Sequence, residues 1–201
     1  MFTVLTLLAS VLFLVRLLLL IALHVRPGGV HPLRDAVSDY AASARAGTRR
    51  LASVASWSAA AAWAVLGLAV LLGTGGGHTG LGISLLALAI VLALMPMVPT
   101  DGPDAETTLR GRIHLLFAVA WFALAYSTIS LETRLLEETT GHRAPVLLGP
   151  VHVVAAISLA CLVLSLLIPA LRRRTFGLSE RVFIAAVTLA PLIVSLGLVG
   201  A

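Results

Sequence analysis

Residues 2–24 read FTVLTLLASVLFLVRLLLLIALH, a run broken by a single formal charge, Arg16. At about 1.5 Å per residue, a helix of this length crosses the roughly 30 Å hydrocarbon core of a bilayer. Between positions 4 and 23, fifteen residues are Val, Leu, Ile or Phe. Each favours insertion by roughly 0.3–0.6 kcal/mol, against a cost of about 2.5–3.5 kcal/mol for an arginine at a helix centre. The segment is therefore expected to insert in spite of Arg16. A cleaved leader is not the expectation: no basic n-region precedes the run, the run is longer than a usual h-region, and no small-x-small site follows cleanly.

Outward from this stretch, five further apolar runs follow, at 52–73, 81–98, 113–131, 147–169 and 182–200. The expected fold is all-α: a polytopic membrane protein, a six-transmembrane-helix bundle forming one domain over 1–201. The connections are too short to hold an aqueous domain. Gly75, Gly76 and Gly77 mark a tight turn between spans two and three, and Pro96 and Pro99 mark the exit of span three. Composition agrees: 59% of residues are hydrophobic and 11% charged, against about 45–50% and 25% in ordinary globular proteins. The mean hydropathy is +1.05. These values exclude disulfide scaffolds and disordered tails. The lone Cys161 lies in an apolar run and cannot form an internal disulfide.

The net charge of +5 does not point to nucleic acid, because the arginines flank the spans instead of forming a continuous basic stripe. Their placement speaks to orientation. Connection one carries Arg26, Arg34, Arg45, Arg49 and Arg50; connection three carries Arg110 and Arg112; connection five carries Arg172, Arg173, Arg174 and Arg181. The even connections hold only Arg134 and Arg143. The excess predicts a cell-membrane protein with its odd connections in the cytoplasm.

Arg16 is the one charge deep in a span, and two readings fit it. It either faces the bundle as an anion or lipid-phosphate contact, or packs a helix through bonds to carbonyls or to hydroxyls such as those of Tyr126 or Ser127. The first connection is rich in polar groups: His24, His31, Asp35, Ser38, Asp39 and Tyr40. His31-Pro32 favours a turn, after which Asp35, Ser38 and Asp39 recur at helical spacing. There they are either ligand contacts or, for Ser38 with Asp39, the cap of a short interfacial helix. Asp101 lies just past span three, in a segment that also holds Asp104, and Arg112 and His114 open span four. Hairpin geometry puts both ends at the depth of the first connection. The candidate ligand-binding set is thus Arg16, His31, Asp35, Ser38, Asp39, Asp101, Arg112 and His114. A metal set would draw on His24, His31, Asp101 and His114.

Other polar groups read more plainly. His78, His142 and His152 fall toward the opposite surface, His152 following a helix start at Leu148-Gly149-Pro150. Glu132, Glu137 and Glu138 with Arg134 read as a solvated extension of span four. Arg172, Arg173 and Arg174 read as a topology anchor or an anionic-lipid contact in the last connection, with Ser179 capping span six. No phosphate-binding loop, nucleophile elbow, HExxH or CxxC motif is present.

The chain resembles a bacterial membrane family known as domain of unknown function 998. The resemblance rests on residues 31–40 (HPLRDAVSDY), 98–101 (VPTD), 111–114 (GRIH) and 177–181 (GLSER), and covers essentially the whole chain. It implies six membrane helices and supplies no activity. Three functions are compatible with the residues. The first is a binder of a lipid headgroup or small amphiphile, with membrane lipids as partners and a polar face built from connections one and three. The second is a metal-dependent membrane hydrolase using zinc on a lipid-like substrate. The third is a b-type haem protein with axial His24 and His114.

Overall fold

The structure is a computed structural model, and it describes residues 1–26, 29–98, 100–101, 106, 108–140 and 144–199. The elements are α1 (Phe2–Val25), a short α2 (Asp39–Ala42), α3 (Ala46–Gly73), α4 (Thr79–Leu94) with a 3-10 turn at Met95–Met97, α5 (Leu109–Thr140), α6 (Ala144–Leu167) and α7 (Pro169–Val199). No strand occurs among the described residues. Among the described residues six helices are long and apolar enough to cross a membrane, as the sequence predicts. Pro99, Asp104, His142 and Arg143 lie outside the described residues.

The helices overrun the apolar windows. Hydropathy marks only the part of a helix that sits in lipid, whereas polar helix formers carry the same hydrogen-bond ladder into the interface. Thus α3 begins at Ala46, ahead of the apolar window at 52, and α5 continues to Thr140. Three expectations are overturned here. The arginines 172–174 do not lie in a loop: α7 begins at Pro169, and only Ile168 separates it from α6. A residue before proline is driven out of the α region, while proline itself suits a first helical position, so the two helices meet at a single-residue corner. Ser179 consequently lies inside α7, buried, and caps nothing. Pro150 likewise falls inside α6 instead of starting it. Gly75 and Gly76 adopt φ of 59° and 94°, the left-handed turn conformation expected between α3 and α4.

The six spans close a ring in chain order. α1 packs on α3, α3 on α4, α4 on α5, α5 on α6 and α6 on α7; α7 returns to α1 and also touches α5. Side chains at Ala9, Phe13, Leu20 and Leu23 form the inward stripe of α1, and Phe13 meets Trp63 of α3 edge-on at 5.0 Å between ring centroids. Trp121, Phe122 and Phe183 tie α5 to α7. Leu7, Leu18, Ile90, Leu116, Ile157 and Leu196 point outward, as suits helices surrounded by acyl chains. With six alternating spans, connections one, three and five share one end of the bundle.

Candidate functional site

The inward stripe of α1 settles where Arg16 points. It falls in register with Phe13 and Leu20, and only 7% of its surface is exposed. Tyr126 stacks against His152 instead, and the Ser127 hydroxyl donates to Leu124 O. No hydrogen bond or ion pair engages Arg16 among the described residues. Its guanidinium lines a cleft with about 720 Å³ of space free of atoms, the open side included. Residues of α1, α3, α4, α5, α7 and the first connection wall it, and the polar ones include Arg16, Ser38, Ser56, His114, Trp121 and Glu180.

His114 reaches the cleft from the first turns of α5. Its Nδ1 lies 2.7 Å from Val98 O, and since a carbonyl only accepts, Nδ1 carries the proton and donates. That bond closes the α4–α5 hairpin. Nε2 is buried with no partner, as is the indole Nε1 of Trp121 two helical turns further on. Ser56 spends its hydroxyl on Leu92 O, behind the 3-10 turn.

Ser38 lines the cleft as well, while His31, Asp35, Asp39 and Asp101 build its frame and do not line it. Asp35 Oδ2 accepts from the His31 N–H at 2.6 Å, His31 Nδ1 accepts from the Leu33 N–H, and Asp39 Oδ2 accepts from the Ala36 N–H at 2.8 Å. These are side chains folding their own loop. The Ser38 hydroxyl makes no cap bond to α2. Burial, reinforced by the neighbouring Asp35, raises the Asp39 carboxyl above its ordinary range, while the Ala36 N–H and Arg181 pull it the other way. Asp101 accepts from both the hydroxyl (2.7 Å) and the N–H (2.8 Å) of Thr108, whose own hydroxyl oxygen accepts from the Gly111 N–H and so caps α5. Those two bonds hold the Asp101 carboxyl below the usual carboxylate range. A side chain at Gly111 would collide with the Asp101 carboxylate. Arg112 is exposed.

Arg181, read from the sequence only as a flank of span six, is the hub of this end. Its Nε donates to His24 Nε2 at 2.6 Å, and its Nη1 donates to Asp35 O at 2.7 Å. The guanidinium lies 5.7 Å from the centroid of the buried Tyr40 ring. Beside it, Glu180 Oε2 accepts from the Val37 N–H at 2.6 Å. The loop can approach because Gly177 carries no side chain: a Cβ there would sit 2.5 Å from Asp35 O and 2.9 Å from Pro32 O.

The suggested metal set is therefore dispersed among local tasks. His24 uses both ring nitrogens, on Leu20 O and Arg181, and the Thr108 bonds occupy both Asp101 oxygens. Among the described residues no group of three or more His, Cys, Asp or Glu side chains is placed to hold a metal ion. At the other end, His78 meets Glu138 at 3.1 Å. Glu132 departs from expectation: it is 0% exposed, with neither carboxylate oxygen bonded. The buried stripe of α5 (Trp121, Ala125, Thr128, Glu132, Leu136) runs past the last apolar residue of the span and carries the glutamate inward.

A ring of six apolar helices with a polar cleft at one end defines a multi-pass helical membrane protein. The chain belongs to the family described as Protein of unknown function (DUF998), whose model matches residues 7–197. No curated protein and no solved structure matches it.

Proposed function

We propose that this protein binds the anionic head of a membrane lipid or small amphiphile in the cleft that Arg16 lines. The observation that carries the reading is a buried guanidinium without a counter-charge, sharing a cavity with two more unpartnered polar groups, the Trp121 indole N–H and His114 Nε2. Leaving one member of a buried ion pair alone costs about 3–5 kcal/mol, and a bound anion would remove that cost. Leu23, Leu92, Phe122 and Ile184 supply apolar walls for attached alkyl groups, the usual pairing of greasy lining with a few placed polar contacts. The arginine excess on the odd connections supports a mouth on the cytoplasmic side of a bacterial cell membrane.

Native mass spectrometry of protein purified in mild detergent tests the reading. The wild-type chain is expected to retain phospholipid, Arg16→Met to lose it, and Trp121→Phe to hold it more weakly. Identical lipid complements on the wild type and Arg16→Met would overturn the proposal.

A further inference from the structure

Anion binding leaves one buried acid of the cleft wall with no task beyond holding the Val37 N–H. Glu180 is 7% exposed and faces the same space as Arg16 from α7. Arg181, its chain neighbour, donates to His24 and to the Asp35 carbonyl. Among the described residues Arg16 and Glu180 form no ion pair with each other.

Helix register explains their separation. α1 and α7 run antiparallel, and two side-chain contacts fix their alignment: His24 with Arg181 near one end and Ser10 with Ser195 near the other. Arg16 lies eight residues below His24 on α1, hence on the order of 12 Å closer to the bilayer centre than the level of Glu180. Arg16 thus lies at the floor of the cleft and Glu180 at its mouth, where the neighbouring Arg181 has its guanidinium engaged on His24 and on Asp35 O.

We infer that the head bound here is zwitterionic, with its phosphate on Arg16 and Trp121 at the floor and its ammonium on Glu180 at the mouth. This rests on the binding reading above and adds the charge pattern of the ligand. An aminoalkyl phospholipid presents its charges in that order, the phosphate next to the acyl-bearing backbone and the ammonium nearer water. A purely anionic head would satisfy Arg16 and leave Glu180 facing negative charge, a juxtaposition that costs affinity.

The test compares lysophosphatidylethanolamine with lysophosphatidylglycerol, titrated onto delipidated protein in detergent and read by native mass spectrometry. Wild type is expected to prefer the ethanolamine lipid by roughly thirtyfold, the low end for loss of one partner of a buried charge pair. Glu180→Gln keeps an acceptor for the Val37 N–H and is expected to abolish the preference by weakening only the ethanolamine lipid. Glu180→Asp is expected to restore part of it, which a merely structural role would not. Equal binding of the two lipids by wild type, or a preference unchanged in Glu180→Gln, overturns the zwitterion inference and leaves the anion reading standing. Binding of neither lipid overturns both. Soluble phosphoethanolamine is the final arm: displacement of the bound lipid assigns the site to a free zwitterion, and no displacement assigns it to the lipid.

Discussion

Replacing Arg181 by Met should release the first connection from α7 while leaving the bundle folded. The guanidinium makes two bonds outside its own helix, to His24 Nε2 and Asp35 O, and covers the face of Tyr40. Hydrogen bonds from a charged donor contribute about 1.5–3 kcal/mol when buried. His24 is exposed and Arg181 half-buried, so about 1 kcal/mol per bond is the fitting figure, with roughly 0.5–1 kcal/mol more from the ring contact. The loss of about 2–3 kcal/mol multiplies the open population of the loop by roughly 30–150-fold. Hydrogen exchange followed by mass spectrometry in detergent reads this directly, because the Val37 N–H is tied to Glu180 and the Leu178 N–H to Leu33 O. Peptides covering 31–40 are expected to exchange faster by that factor, with no change in peptides around Ser10 and Ser195. Arg181→Lys should recover little, since one ammonium cannot serve two partners in the geometry of a planar fork. Unchanged exchange at Val37 in Arg181→Met would refute the hub assignment, as would acceleration spread evenly over all six spans.

Gly111→Ala should expel the Asp101 carboxylate from the start of α5 and lower the thermal stability measured in detergent. Because Asp101 is held below the ordinary carboxylate range, its contribution is fully present above the unfolded value and disappears as pH falls through the folded one. A wild type whose acid-side stability slope matches that of Asp101→Asn would contradict this. Glu132→Gln should be neutral or stabilising, because a buried group without a partner gains nothing from its charge. A loss above about 1 kcal/mol would reveal a partner that the geometry does not provide.

The spans were legible because a bilayer imposes a length and a polarity on every crossing segment, and no soluble packing problem competes with that signal. The polar motifs were legible as a group for a related reason. In a chain this apolar, residues 31–40, 98–101, 111–114 and 177–181 gather at one end simply because the spans alternate. Their division of labour was not legible. Whether Asp35 turns inward to a ligand or back onto the His31 N–H is decided by one loop torsion, which neither charge nor spacing encodes. Asp101 is a clearer case, since a Thr three residues before a Gly at a helix start carries capping information, and only the Asp seven residues ahead of that Thr made the segment look like a site. Arg181 and Glu180 were hidden for the opposite reason. They sat in a segment that resembles a helix start, while Pro169 had already begun the helix a dozen residues earlier. Glu132 was misplaced because hydropathy windows end where charge appears, whereas a helical stripe does not.

The closure of the ring between the first and last helices carries a consequence for biogenesis. During synthesis α1 precedes the other five spans described here, and the wall that completes the surroundings of Arg16 is supplied by α7, which follows them. Until then an arginine-bearing helix waits in lipid with part of its inward stripe uncovered, held through its contact with α3. The cleft is thus a product of the final assembly step. A chain stalled before α7 would leave that stripe, Arg16 included, without the wall that Glu180 and Ile184 supply in the finished bundle.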